Sequence, residues 1–241
     1  MQTTETLYAP LTPHPFGGGA LTPTADRSVS DLALVLAHRL RSLLGGVQAA
    51  GELLVDAVAD EDRPLVFDVL EGTAAIERVL ADLVRYTHRL EPVAYPLCLA
   101  ALAADVAGAL APADAARVRI ASTGDTPIVG DRVLLQQAVL ALLQNALEAA
   151  PGAAVDLEIE RLDAAGAGAA ALRVTQPGTL PVEPSRALDP FYTTKPQHLG
   201  LGLPLARHIA EAHGGGLRVH PDLLAGTVTA ALTLGPASQY V

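Results

Sequence analysis

The chain has few aromatic residues and a single cysteine, and both shortages restrict the kind of protein it can be. Tryptophan is absent from the 241 residues, aromatic residues make up 3% of them, and Cys98 is the one cysteine. A lone cysteine excludes an internal disulfide framework and a cysteine-rich zinc site. The core must therefore be aliphatic, in a sequence that is 50% hydrophobic with a mean hydropathy of +0.33.

Basic residues are scarce as well. Sixteen Lys and Arg stand against 26 Asp and Glu, which gives a net charge of −10 and a pI near 5.0, so we expect no nucleic-acid partner. The most apolar segment, residues 97–111, contains Asp105 and is too short for a membrane span. Residues 1–10 lack the basic and apolar regions of a secretory signal. These features predict a cytoplasmic protein, which the single cysteine also fits.

The first third of the chain predicts a tail followed by a helical hairpin. Residues 1–29 are rich in Pro, Thr and Gly without periodicity, which is typical of a flexible tail or linker. Residues 30–91 carry two helical patterns, the first capped near Ser30-Asp31 and the second opened by Pro64. The apolar positions form heptad seams: Leu36, Leu40, Leu43, Val47, Ala50 and Leu54 on the first helix, and Val66, Val69, Thr73, Ile76, Leu80, Leu83, Thr87 and Leu90 on the second.

One partner helix cannot bury such a seam completely. Two hairpins that pair as a four-helix bundle would bury it, so we predict a homodimer through residues 30–91. The alternative is that both helices pack on the second domain of the same chain. Strict heptads favour helix-on-helix packing.

Residues 92–241 mix helices and strands without a strict alternation, which predicts an α+β fold, a two-layer sandwich. Helices are predicted over 97–110, 131–150 and 203–213, and strands over 117–121, 155–159, 171–175, 217–220 and 227–234. Residues 176–199 are irregular and rich in proline. The strands at 155–159 and 171–175 are predicted to form a hairpin, and the last two strands form another pair.

Two of the candidate functional segments lie on predicted helices. His38 falls off the heptad seam, so its imidazole is predicted to face solvent, where the neutral ring can attack phosphorus. Ser42 is one turn further along the same face. Asn145, near the end of the predicted helix 131–150, offers an amide oxygen of the kind that Mg²⁺ accepts. Taken singly, His38 and Asn145 are better explained as ordinary polar positions on a helix.

The other two candidate segments lie close together near residue 195. The loop Asp189–Lys195 combines aromatic residues, hydroxyls and a lysine, and could hold a phosphate tail. Gly200-Leu201-Gly202 opens directly into a helix, where backbone amides and the helix N-terminus favour an anion. An ordinary loop and an ordinary turn are the competing interpretations.

The order of four motifs resembles the catalytic core of two-component sensor histidine kinases, with the layout of the nitrogen-regulation type. The motifs are HRLRSLL, QNALEA, DPFYTTK and GLGLPLARHIAEAHGG, and the resemblance covers about residues 30–235. It implies a dimerising hairpin that bears a phospho-accepting histidine, followed by a Bergerat-type ATP-binding domain like those of gyrase and the MutL mismatch-repair proteins. The implied domains are 30–91 and 92–241.

The resemblance also implies roles for individual residues. His38 becomes the phospho-acceptor, with Ser42 beside it, and Asn145 becomes the Mg²⁺ ligand. The remaining matched residues are implied to contact ATP: Gln176, Gly178, Thr194, Lys195, Gly200 and Gly202. The implied cofactors are ATP and Mg²⁺, and the implied partners are a second copy of the chain, the receiver domain of a response regulator and an upstream sensor protein, because residues 1–29 are too few for a sensor domain.

The chain departs from the family pattern at four places. Arg39 stands where an acidic residue usually follows the histidine, Ala141 replaces a residue that is often polar, and His198 stands where a glycine is expected. The first glycine box, usually Asp-x-Gly-x-Gly, is reduced to residues 175–181, in which Gln176 replaces the aspartate that receives the adenine amino group. Gln176 can hydrogen-bond adenine but lacks the charge, whose loss costs about 1.5–3 kcal/mol.

Three functions are therefore compatible with the sequence. The first is a histidine kinase that moves the γ-phosphoryl group of ATP to His38 and then to an aspartate of a response regulator. The second is a histidine phosphotransferase or phosphatase whose ATP-binding domain is degenerate. The third is a scaffold without enzymatic activity, in which the hairpin binds the regulator and no phosphoryl group moves.

Overall fold

Two long antiparallel helices precede the mixed sheet. The computed structural model describes residues 23–87, 90–162, 168–180, 182–195 and 198–235, without the side chains of residues 23–36 and His38. Helix α1 is Pro23–Ala57 and helix α2 is Arg63–Thr87. Arg63 closes the turn between them, because its Nε donates to the carbonyl oxygen of Val55 at 3.0 Å.

The first helix begins earlier than predicted. The cap expected at Ser30-Asp31 is wrong, since the helix already contains both residues and starts at Pro23. Proline suits the first turn because its missing N–H would have no partner there and its φ is already helical. The predicted tail thus overlaps the helix at residues 23–29, and its remainder, residues 1–22, lies outside the described residues.

Each helix of the hairpin has an apolar stripe that packs inside the hairpin. On α1 the less exposed positions are Ala37, Leu44, Gln48, Gly51 and Val55, at helical spacing. A Cβ at Gly51 would lie 2.6 Å from Cδ2 of Leu70 on α2, so the two helices approach closely there. Thr73 and Leu80 are the buried residues of α2.

On α1 the predicted heptad seam is a different stripe that faces outward in the single chain, whereas on α2 it includes the buried Thr73 and Leu80. On α1, Leu40, Leu43, Val47 and Leu54 are 44%, 69%, 46% and 49% exposed. Val69 and Ile76 on α2 are also exposed. The alternative of packing on the second domain holds only for the end of α2, where Tyr86 and the following Leu90 pack against the core of the sandwich.

The second domain is a two-layer sandwich, as predicted. Its sheet has five strands in the order β2-β4-β5-β7-β6, with β2 parallel to β4 and all other neighbours antiparallel. The strands are β2 (Val118–Ser122), β4 (Val155–Arg161), β5 (Ala170–Pro177), β6 (Gly216–Asp222) and β7 (Thr227–Leu234). Both predicted strand pairs are present.

Three helices cover one face of this sheet and complete the core. They are α3 (Leu99–Gly108), α5 (Arg132–Ala149) and α6 (Gly202–Ala212), with a single turn, α4 (Pro112–Ala115), after α3. Fully buried aliphatic side chains fill the space between the layers, among them Leu102, Leu135, Leu142, Leu157, Leu172, Ile209 and Leu232. This packing needs no aromatic residue, as the composition predicted.

Two short strands were missed by the sequence patterns. β1 (Tyr95–Cys98) and β3 (Pro127–Gly130) pair antiparallel as a small separate sheet. Their four-residue length gives no alternation to detect, and the helix predicted from residue 97 in fact starts at Leu99 because β1 occupies the preceding residues. The irregular stretch before α6 contains one 3-10 turn, Arg186–Leu188.

The segment around Val93, between α2 and the sandwich, is hydrogen-bonded to the start of α5. Asp131 caps α5, its Oδ1 accepting from the amides of Val133 and Leu134 at 2.9 and 3.1 Å, while its Oδ2 accepts from the amide of Val93 at 2.9 Å. The ring of His213, 2% exposed, accepts from the Asp131 amide at Nε2 and donates from Nδ1 to the carbonyl oxygen of Ile209.

Across the described ranges, no helix has the length and apolar character needed to cross a bilayer.

Candidate nucleotide site

One cavity of about 380 Å³ lies between α2, α5, the residues around 180–200 and the start of α6. This volume is in the range of ligand-binding clefts. Six of the sequence-predicted residues line it: Asn145, Gln176, Thr194, Lys195, Gly200 and Gly202. Asn145, Gln176 and the region 194–202, which are far apart in the sequence, are therefore brought together.

Lys195 contacts the amide oxygen of Asn145, which was predicted to bind Mg²⁺, together with a carboxylate oxygen of Glu148, which was not predicted. Nζ of Lys195 lies 2.7 Å from Oε2 of Glu148 and 3.3 Å from Oδ1 of Asn145. Asn145 and Glu148 are three residues apart on α5 and therefore share one face of the helix. Nε2 of His198 lies 3.4 Å from the same Glu148 oxygen.

The contacts of Lys195 test whether Mg²⁺ fits here. The ammonium group is a stand-in cation, held jointly by an amide oxygen and a carboxylate. Mg²⁺ is bound by few protein oxygens together with water and phosphate, and this pair of oxygens matches that preference. Asn145 and Glu148 thus fit a divalent cation.

The loop before the cavity is held by several contacts of its own. Thr193 Oγ1 accepts from the amide of Lys195 at 3.0 Å, which makes a tight turn, and the Arg186 guanidinium stacks over the ring of Tyr192 at 4.8 Å. Phe191 has a φ of 64°, the one non-glycine residue with positive φ among those described. Its ring packs edge-on against Tyr86 of α2, with ring centres 6.5 Å apart.

The two glycines of the second glycine motif differ in what they require. Gly200 has a φ of 68°, and a Cβ there would lie 2.2 Å from the carbonyl oxygen of Tyr192. Only glycine fits without a shift of the loop. A Cβ at Gly202, the first residue of α6, would meet only the Ala141 side chain at 3.9 Å.

The reduced first glycine box contributes one side chain to the cavity. Gln176, near the end of β5, is 6% exposed and lines the cavity. Gly178 does not line it. Its φ is 132°, and its amide donates to the carbonyl oxygen of Gly226 at 2.9 Å, so it turns the chain toward the β6–β7 hairpin. The contact with ATP predicted for Gly178 therefore has no counterpart in the cavity.

Several lining residues had not been predicted. Glu148 stands within the quoted QNALEA motif, but its role depends on the tertiary contact with Lys195. Asp82 and Arg85 reach the cavity from α2, and nothing in the local sequence distinguishes them from surface charges. Burial raises the pKa of Asp82 above its ordinary value, against the opposing pull of Arg85 and His198.

The predicted phospho-acceptor segment lies on α1, away from the cavity lining. His38 is in the helix, and its side chain lies outside the described residues, so its predicted solvent orientation stays a prediction. Ser42 is exposed, and Arg39 and Arg41 are exposed as well. The structure thus leaves His38 and Ser42 apart from the six residues of the cavity.

Comparisons with known proteins agree with these features. Residues 130–236 match the family of histidine kinase-, DNA gyrase B- and HSP90-like ATPases. The chain is 32% identical over 213 residues to the sensory histidine kinase/phosphatase NtrB of Rhizobium meliloti (strain 1021), a match that covers 79% of this chain and 55% of NtrB. It is 30% identical over 216 residues to the C4-dicarboxylate transport sensor protein DctS of Rhodobacter capsulatus, covering 83% of this chain and 33% of DctS.

A solved structure extends the likeness to the fold. Full-length ShkA, crystallised in complex with AMPPNP, superimposes with a TM-score of 0.71 at 22% identity over 85% of this chain and 45% of ShkA. The chain spans about half the length of NtrB and of ShkA, and a third of DctS. By sequence and by fold, the chain has the catalytic core of the two-component sensor histidine kinases.

Proposed function

We propose that the chain is a histidine kinase that transfers the γ-phosphoryl group of ATP to His38 and from there to an aspartate of a response-regulator receiver domain. The observation that carries this proposal is the convergence of Asn145, Lys195 and the Gly200 turn on one cavity. The ATPase family match over residues 130–236 supports a nucleotide as the occupant. The AMPPNP complex of ShkA, a protein of the same fold, supports the same ligand class.

Each part of the cavity has a role in this proposal. The amides around Gly200 and the N-terminus of α6 contact phosphate oxygens. The side chains of Asn145 and Glu148 would hold Mg²⁺, which would supply neutralisation of phosphate charge. Lys195, which contacts the same two side chains, would then pair with the phosphate tail, with Thr194 beside it.

The transfer itself requires positioning and charge neutralisation more than covalent chemistry by the protein. The neutral imidazole of His38 attacks the γ-phosphorus, an N–P bond forms, and the bond from the γ-phosphorus to the β–γ bridging oxygen breaks. ADP leaves and the ring proton passes to solvent. In the second step the N–P bond breaks as a receiver carboxylate takes the phosphoryl group, and His38 regains a proton.

The partners follow from the surface of the hairpin. The outward seam that includes Leu43 and Val47 fits a second copy of the chain, which completes a four-helix bundle. Arg39 and Arg41 flank His38 on an exposed surface and suit the acidic phosphorylation pocket of a receiver domain. In this proposal Ser42, which is exposed, orients a water molecule at phosphorylated His38. The use of ATP places this chemistry in the cytoplasm.

The proposal is tested by incubating the full chain with γ-labelled ATP and Mg²⁺. We expect acid-labile label on the wild type, none on His38→Ala, and at least a tenfold loss on Asn145→Ala, since removal of a charge-assisted contact costs about 1.5–3 kcal/mol. His220→Ala, a change at an exposed histidine of β6, should retain the label.

Two other outcomes would replace the proposal. If the wild type takes no label from ATP but takes it from a phosphorylated receiver domain, the chain is a phosphotransferase with a degenerate ATP-binding domain. If it takes label from neither donor, only the scaffold interpretation is left.

A further inference from the structure

We propose that Gln176 makes the base pocket accept 6-oxo purines as readily as adenine, so that the chain binds inosine and guanosine triphosphates as well as ATP. This inference rests on the proposed function, because it takes the cavity to hold a purine nucleotide. It concerns the choice of base, which the proposed kinase reaction leaves open.

The position of Gln176 is fixed by the alternation of β5. Leu172, Val174 and Gln176 share the side of the strand that faces the helices, and all three are buried. Leu172 and Val174 belong to the hydrophobic core, whereas Gln176 lies where the cavity replaces that core. A polar side chain in this row is therefore unexplained by packing.

The carboxamide of Gln176 has no internal partner. Within the described ranges its side chain makes no hydrogen bond, although the residue is only 6% exposed. Every side-chain nitrogen or oxygen atom in those ranges that is fully shielded from solvent has a hydrogen-bond partner. Both polar atoms of Gln176 therefore reach the open cavity, which it lines. Buried polar groups in folded proteins are nearly always hydrogen-bonded, so this group is available to a ligand.

The surroundings of Gln176 add no competing preference for one base. Its neighbour across the sheet on β7 is Val228, followed on the same side by Ala230, which in turn pairs with Val219 of β6. These three residues line the cavity and present only apolar atoms to a flat ring. The hydrogen-bonding choice at this wall thus belongs to Gln176.

A carboxamide and a carboxylate recognise the purine edge differently. The carboxamide carries one acceptor and two donor hydrogens, whereas an ionised carboxylate only accepts. Adenine offers a 6-amino donor beside an N1 acceptor, and Gln176 matches it with its oxygen toward the amino group and its nitrogen toward N1. Hypoxanthine and guanine offer a 6-oxo acceptor beside an N1–H donor. Rotation of the amide by half a turn matches that pattern equally well, whereas a carboxylate can accept only one hydrogen bond at this edge of either base, from the 6-amino group of adenine or from N1–H of hypoxanthine.

Titration calorimetry of the full chain with Mg·ATP and Mg·ITP tests the inference, because the two nucleotides differ only at position 6 and N1. We expect their dissociation constants for the wild type to agree within about threefold, since each base makes the same number of hydrogen bonds. Gln176→Glu keeps the length of the side chain and removes the donor. It leaves one hydrogen bond and one unpaired acceptor with either base, so it should weaken Mg·ATP and Mg·ITP alike, each by about tenfold or more.

Two further variants separate base recognition from other effects. Gln144→Glu adds the same charge at an exposed lining residue of α5 and should weaken the binding of both nucleotides much less than Gln176→Glu does. Gln176→Leu removes donor and acceptor together and should weaken both equally, which keeps the test valid if the buried glutamate prevents folding. Mg·GTP, which adds a 2-amino group, should bind the wild type with a dissociation constant close to that of Mg·ITP, provided that the 2-amino group does not clash with the cavity lining.

Three results would overturn the inference. A wild type that binds ATP at least tenfold more tightly than ITP contradicts it and leaves the proposed kinase function intact. Affinities for Mg·ATP and Mg·ITP that neither Gln176→Glu nor Gln176→Leu lowers contradict it in the same way, because Gln176 then makes no contact with the base. A wild type that binds neither nucleotide overturns the inference together with the proposed nucleotide site.

Discussion

The sandwich and the hairpin solve the problem of burying apolar side chains in opposite ways. In the sandwich, Leu135, Leu142 and Leu157 are 0–1% exposed, so a single chain completes that core. In the hairpin, Leu43 is 69% exposed and Val47 46% exposed, although both lie on a regular heptad seam. The sandwich therefore buries its core within a single chain, whereas the hairpin leaves a seam that the proposed second copy would cover.

The largest expected effect comes from breaking the outward seam of the hairpin. Leu43→Asp with Val47→Asp would place two unpaired charges between the paired hairpins, which is strongly unfavourable. We expect a dimer to become a monomer by size-exclusion chromatography with light scattering, and phosphorylation to be lost. Leu53→Asp is the matched control, because Leu53 is 78% exposed and lies off the predicted seam. A double variant that remains dimeric would contradict the paired-hairpin interpretation.

The second effect concerns the core of the sandwich. Leu142→Ala removes a fully buried side chain and should lower the free energy of unfolding by about 2–5 kcal/mol. Denaturant titration should show the same loss at low and high protein concentration, because this core does not involve the partner. Leu54→Ala, by contrast, should destabilise only at concentrations at which the dimer forms. If the loss of unfolding free energy depends on protein concentration in the same way for both variants, the sandwich and the hairpin do not differ in their need for a second copy.

A smaller effect is expected at the glycine turn of the nucleotide site. Gly200→Ala forces a Cβ against the Tyr192 carbonyl at a φ of 68° and should cost about 1–2 kcal/mol or more, with weaker binding of Mg·ATP in calorimetry. Gly202→Ala should change the affinity little, since its Cβ meets only ordinary van der Waals contact. If both variants bind alike, the turn does not shape the site.

The smallest effect is a dependence on pH that belongs to the sandwich alone. Burial lowers the pKa of His213 below its ordinary value of 6.5. The unfolded chain then binds a proton more readily than the folded one, so stability is complete above pH 6.5 and is lost as the pH falls toward the lowered pKa. Thermal unfolding between pH 7 and 5 should show this loss in the wild type and less of it in His213→Gln. The exposed His220→Gln should behave like the wild type, and a His213→Gln profile as steep as the wild type would exclude His213 as the cause.

The helices and strands with a strong sequence periodicity were predicted well, and the elements without one were misplaced or missed. Helix α5 and strand β7 have long regular patterns, and both lie within one residue of their predicted bounds. The start of α1 was wrong because a good capping pair at Ser30-Asp31 outweighed Pro23 in the sequence, although both kinds of residue occur at helix starts. The strands β1 and β3 are each four residues long, too short for any period to show.

The site was predictable in its motifs but not in its contacts. Asn145 and Lys195 were identified from their chemistry and from the family resemblance. The contacts of the Lys195 ammonium with Asn145 and Glu148 are long-range, because Lys195 lies on a loop 50 residues after Asn145. No local pattern records such a contact, and the same holds for Asp82, which reaches the cavity from the other domain.

The central claim is that His38 becomes covalently phosphorylated by a nucleotide bound in the sandwich. The most direct measurement is to incubate the wild type with Mg·ATP, digest it at neutral pH and locate the phosphoryl group by tandem mass spectrometry. We expect a single modified peptide with the phosphoryl group on His38, absent when Asn145 is replaced by alanine. A phosphoryl group on any other residue, Ser42 included, or an unmodified His38 in a chain that binds Mg·ATP, would contradict it.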